Sequence, residues 1–137
     1  MFIKDIDFKV SFSDFAKTHY RKKFRKKYSE KEWEITEKSI VLSLERAYQL
    51  KDTDRLDCIK FCEPYRLFKF EFAVAGTRES PKKSGNRIIL FLDNEKGSID
   101  ILLIYHKDDL EKRNSETAAW KKLIQNNYPE IWRKFID

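Results

Sequence analysis

Glycine and proline are scarce in this chain, three of each. So few chain breakers argue for long regular elements joined by short connections. Cysteine is scarcer still. Cys58 and Cys62 are the only two, too few for a disulfide framework, and they are expected to be buried thiols in a reducing compartment. Two histidines, scattered rather than set at ligand spacing, predict no metal site and no cofactor. Uninterrupted apolar runs reach only about five residues, against roughly 20 for a membrane span. The opening MFIKDIDFKV carries charge within its first few residues, which excludes a signal peptide. These lacks together predict a soluble, cytoplasmic protein with no membrane association.

What the chain has in plenty is phenylalanine and positive charge. Eleven Phe exclude a disordered chain, and 137 residues make one domain, residues 1–137, with a real core. Lys and Arg outnumber Asp and Glu by 29 to 23, a balance that favours a polyanionic partner. The surplus is local. No acidic residue occurs between Phe15 and Ser29, where Arg21, Lys22, Lys23, Arg25, Lys26 and Lys27 crowd together. Like charges this dense repel one another, and a phosphate backbone or an acidic protein would relieve them; a solvated helix face is the plain alternative.

The centre of the chain organises the rest. In LFKFEFAV, Phe68, Phe70, Phe72 and Val74 alternate with Lys69 and Glu71, so one face of a strand is apolar and the other polar. RIILFL and SIDILLIY are nearly continuous apolar runs, as in strands covered on both faces. Asp93 to Gly97 supplies the turn between them. Arg87 opens one strand while His106 and Lys107 close the next, which predicts all three at the same end of an antiparallel pair.

Before this region, Ile6, Phe8, Val10 and Phe12 alternate as a half-buried strand. Ser13 then caps a helix expected to reach about Tyr28, and Ser29 with Glu32 forms a capping box for a second helix to about Leu50. Its buried face is expected to be Trp33, Ile40, Val41, Leu44 and Tyr48. Residues 57 to 65 read as an extended segment broken at Pro64. Gly76 to Asn86 is a long hairpin loop carrying Arg78, Lys82 and Lys83. Ser115 caps a C-terminal helix, and Pro129 opens a further short one. The expected fold is α+β: an antiparallel sheet of about four strands in β-α-α-β-β-β-α order, with a helical hairpin packed on one face.

That order, with Leu67-Phe68-Lys69-Phe70, Gly85-Asn86-Arg87-Ile88-Ile89 and Ile104-Tyr105-His106-Lys107-Asp108 at its strand ends, resembles the RelE/ParE superfamily of toxins from bacterial toxin–antitoxin systems. The resemblance covers the sheet region and the element order. Asp108 and Asp109 stand where family ribonucleases often carry a basic or Tyr residue. The resemblance implies a metal-independent endoribonuclease that cleaves mRNA, often on the ribosome, by attack of a 2′-hydroxyl on the neighbouring phosphorus. It also implies control by an antitoxin.

In that chemistry Arg87 would clamp the phosphate with its planar fork. Lys69 and Lys107 would add positive charge, and His106 would transfer a proton near neutrality. Glu71 is a secondary candidate base, although Lys69 and Glu71 are expected rather to form an ion pair on a solvated face. Arg21, Lys22, Arg25 and Lys26 on the first helix, with Arg78, Lys82 and Lys83 in the loop, are the candidate RNA contacts. A non-catalytic relative, or a basic module that binds nucleic acid or protein, is the alternative. The two differ in one geometric requirement: catalysis needs Lys69, Arg87 and His106 to reach one phosphate.

Overall fold

The computed structural model describes residues 7–20, 26–50, 53, 55–109 and 115–135. Among them the order is β1 (Lys9–Phe12), a π-helical turn (Ala16–Tyr20), α1 (Glu30–Glu45), a 3₁₀ turn (Ala47–Leu50), β2 (Leu56–Cys62), β3 (Tyr65–Glu71), α2 (Pro81–Ser84), β4 (Asn86–Asp93), β5 (Ser98–His106), a 3₁₀ turn (Lys107–Asp109), α3 (Glu116–Asn127) and α4 (Pro129–Arg133). The α+β class is as expected. The sheet has five strands rather than about four, in the order β1-β5-β4-β3-β2. It is also mixed rather than antiparallel, because β1 runs parallel to β5 while the other pairs are antiparallel. The additional strand is β2. Its segment turns back at Glu63-Pro64 and pairs with β3 from Leu56↔Phe70 to Cys62↔Tyr65. Pro64 sits in the turn, where its missing N–H breaks no ladder bond.

The sheet buries both faces. On the first, Trp33, Ile40 and Leu44 of α1 pack over Phe68, Phe70, Phe72, Ile88, Leu90 and Leu92. On the second, Ala119, Trp120 and Ile124 of α3 cover Leu67, Ile89, Leu103 and Tyr105. This two-sided cover is why every residue of β4 is buried. Each Ile or Leu so placed contributes about 1.5–3 kcal/mol by leaving water.

Local signals act as the sequence suggests. The Glu32 N–H donates to Ser29 Oγ at 3.1 Å, and that hydroxyl donates to Glu32 Oε1 at 2.9 Å. Asp93 Oδ1 accepts from the N–H groups of Glu95 and Lys96, and Gly97 takes φ +66° to close the β4–β5 turn. Ser115 caps α3 through the Ala118 N–H.

Three expectations fail. The first helix is not one continuous α-helix, since it passes into a π-helical turn at Ala16–Tyr20. Cys58 and Cys62 are exposed rather than buried, because β2 is an edge strand. The Gly76–Asn86 segment is not a bare hairpin loop, since Ser80 caps the short helix α2 inside it. Arg21, Lys22 and Arg25, candidate RNA contacts, lie outside the described residues, as does Ile6.

One irregularity governs the site. Ile89 pairs with Leu103 but Leu90 pairs with Ile101, so Leu102 is an extra residue in β5, a β-bulge. Leu102 and Leu103 both turn to the second face. The Leu102 carbonyl accepts a hydrogen bond from Tyr128 Oη at 2.8 Å, which ties the end of α3 to the sheet.

Candidate functional site

The register places the sequence-predicted residues on two different faces. Glu71, Arg87 and Tyr105 lie side by side across β3, β4 and β5, with Glu71↔Arg87 and Arg87↔Tyr105 as cross-strand partners. Opposed residues project to the same face, here the second. Lys69 is two residues from Glu71 on the same strand and shares that face. His106 is opposite Asn86 and projects to the first face. Lys69, Arg87 and His106 therefore do not converge. Had β5 carried no bulge, the alternation set at Ile99 and Ile101 would have sent His106 to Arg87's side. The inserted Leu102 reverses it.

His106 is occupied locally. Its Nδ1 accepts the Asp108 N–H at 3.1 Å and lies 3.7 Å from Asp108 Oδ2. Its ring packs against Gly85, the left-handed cap of α2 at φ +78°, where an added Cβ would come within 2.6 Å of Nε2. Gly85→Ala is therefore expected to cost about 1–2 kcal/mol for the backbone conformation, plus the displacement of His106. Urea denaturation measures the total, and His106→Ala in the same chain should return the second part. Lys107 is exposed, and its backbone N–H donates to the Gly85 carbonyl.

Arg87 is committed too. Its Nη1 lies 3.1 Å from Glu71 Oε2, and its Nε lies 3.9 Å from Glu116 Oε2 on the first turn of α3. Tyr105 Oη donates to the same Glu116 oxygen at 2.8 Å. Burial, with the Glu116 charge beside it, holds the Tyr105 phenol protonated well above its ordinary range. Two carboxylates against one guanidinium leave this network with a deficit of positive charge, the wrong sign for a phosphate clamp centred on Arg87. The network is also incomplete. Neither Glu71 Oε2 nor Arg87 Nε has a hydrogen-bond partner of good geometry among the described residues, an uncommon state for buried polar atoms.

Glu71 connects this buried network to solvent. It lines a polar cleft of about 280 Å³ with Thr53, Leu56, Asp57, Lys69 and Lys82. Lys69 and Lys82 thus meet in one cleft although they lie on β3 and α2. Neither makes an ion pair with a carboxylate among the described residues. The expected Lys69–Glu71 pairing is replaced by Glu71–Arg87.

No family model, curated protein or solved structure matches this chain.

Of the remaining candidates, Lys83 on α2 and Arg78 ahead of it are exposed, and Lys26 is exposed at the far end of the basic run. They are not part of the cleft. Sequence reasoning missed Glu116. Its one signal was Tyr105, which ends an apolar strand run and whose hydroxyl needs a partner when buried.

Proposed function

We propose that this protein is a toxin-like, metal-independent endoribonuclease with a RelE/ParE-type arrangement, acting on RNA in the cytoplasm at the Lys69–Glu71–Lys82 cleft. One observation carries the reading: Lys69 and Lys82, which make no ion pair with a carboxylate among the described residues, line one cleft with Glu71 and Asp57, and a buried guanidinium holds the Glu71 carboxylate from behind. Glu71 takes the proton from a 2′-hydroxyl. The freed oxygen bonds to phosphorus as the bond to the 5′-oxygen breaks, and one lysine supplies the proton that the leaving oxygen needs. The other lysine offsets charge on the phosphoryl oxygens. The products are a 2′,3′-cyclic phosphate and a 5′-hydroxyl. Arg87 orients Glu71 and does not touch substrate.

The element order supports this reading, since helical segments separate the first strand from the antiparallel strands. An antitoxin partner, and mRNA on the ribosome as substrate, are what the resemblance implies. A second reading, RNA binding without cleavage, is favoured by a specific observation: the imidazole best suited to proton transfer lies on the opposite face. Cleavage of an end-labelled RNA separates the two. Lys69→Gln with Lys82→Gln should slow cleavage by roughly 10- to 100-fold for each ammonium group removed and leave the melting temperature nearly unchanged. Binding with no cleaved product would favour the second reading.

A further inference from the structure

We infer that a phosphate-and-base track for single-stranded RNA leaves the cleft and runs along the β2–β3 side of the second face, over Lys69, Lys60 and Lys134, with the Trp132 and Tyr65 rings between them. The register lays out the path. Lys69 faces Asp57, Leu67 faces Lys60, and Tyr65 faces Cys62. Lys69, Leu67 and Tyr65 are alternate residues of one strand and share a face. Each two-residue step advances about 7 Å, the scale on which phosphates follow one another along an extended strand.

The C-terminal segment completes the path. Lys60 Nζ lies 4.7 Å from the centroid of the Trp132 ring, and Lys134 Nζ lies 4.4 Å from that of Tyr65. Cation–π contact holds an ammonium in place without neutralising it. Lys60, Lys69, Lys82 and Lys134 make no ion pair with a carboxylate among the described residues. By contrast, Arg87 faces two carboxylates and Arg66 is paired with Glu63.

The Tyr65 ring is backed by other aromatics. Tyr65 stacks on Phe91 at 5.6 Å and 25°, and Phe135 meets Phe91 edge-on at 6.1 Å. A phosphate that draws Lys60 or Lys134 off its ring opens that ring face to a base. Unpaired cations alternating with aromatic platforms suit a single strand, whose bases stack without sequence preference. An acidic peptide would use the charges and gain nothing from the ring spacing.

This inference rests on the cleft reading for what enters the cleft, and its test is separate. The probe is a labelled oligouridylate of about 12 nucleotides, read by fluorescence anisotropy. Lys60→Gln with Lys134→Gln should weaken binding by about 10-fold and flatten the log K against log salt slope by about 1.4, the counterion release of two phosphates on a single strand. Lys31→Gln with Lys38→Gln, two exposed lysines of α1 on the other face, removes the same charge and should do much less. Trp33 and Trp120 are buried, so binding should quench Trp132, and Trp132→Phe should abolish the quench. Equal loss in the two lysine pairs, or unaltered binding by Lys60→Gln with Lys134→Gln, overturns the track. Tighter binding of a polyglutamate peptide through the same lysines also overturns it, in favour of an acidic protein. Track-dependent binding without cleavage sinks the cleft reading alone. Glu71-dependent cleavage that ignores Lys60 and Lys134 sinks the track alone.

Discussion

Arg87→Ala is expected to destabilise the protein by about 3–5 kcal/mol, the usual cost of removing one partner from a buried ion pair. The side chains of Arg87 and Glu71 are only 10% and 12% exposed. Without the guanidinium, the mostly buried Glu71 carboxylate loses its ion-pair partner, and Glu116, which also faces Arg87, loses its counter-charge too. Glu116 is 27% exposed, so solvent screens its share and the cost should fall toward the lower end of the range. The urea midpoint should drop with little change in slope. Replacing Arg87 and Glu71 together by Met should recover most of the loss, because the expense lies in the orphaned charge rather than in the missing attraction. A single variant within about 0.5 kcal/mol of the parent would mean that the pair is solvated. The effect also governs how activity data are read. If Arg87→Ala abolishes toxicity, lost folding accounts for it as well as lost chemistry does, so Arg87 cannot serve as the diagnostic position.

Glu71→Gln is the substitution that isolates the chemistry. It preserves shape and removes the cleft carboxylate that a guanidinium steadies. Arg87 keeps Glu116 as its counter-charge, so this change should disturb the fold far less than Arg87→Ala. Loss of a positioned general base slows the chemical step by about 10²–10⁴-fold. Single-turnover cleavage at saturating protein reads that step directly, and the anisotropy of the oligouridylate should stay within a few-fold of the parent. A parallel loss of binding and cleavage would show Glu71 acting through structure instead.

The sequence and the structure agree wherever a local rule is sufficient. The Phe68, Phe70, Phe72 alternation fixes which face of β3 is apolar, and it places Lys69 and Glu71 together. The continuous runs in β4 and β5 announce a sheet covered on both sides. Ser29 and Ser115 mark true helix starts, and Gly97 marks a true turn. Disagreement begins where register decides. The bulge at Leu102 has no Gly and no polar residue to betray it; it lies inside ILLIY and exchanges the faces of everything after it in β5. That one insertion separates His106 from Arg87. Likewise, the spacing of Cys58 and Cys62 does not show that their segment is an edge strand, which exposes both. Glu71's choice of Arg87 over Lys69 depends on which residue the neighbouring strand sets opposite it, and no spacing within β3 reveals that.

The most direct measurement compares Glu71→Gln with His106→Ala, cleaving one end-labelled RNA and analysing the new termini. A cleft site on the second face predicts 2′,3′-cyclic phosphate ends from the parent and from His106→Ala at similar rates, and almost none from Glu71→Gln. Full activity in Glu71→Gln, or its loss in a well-folded His106→Ala, would contradict that site.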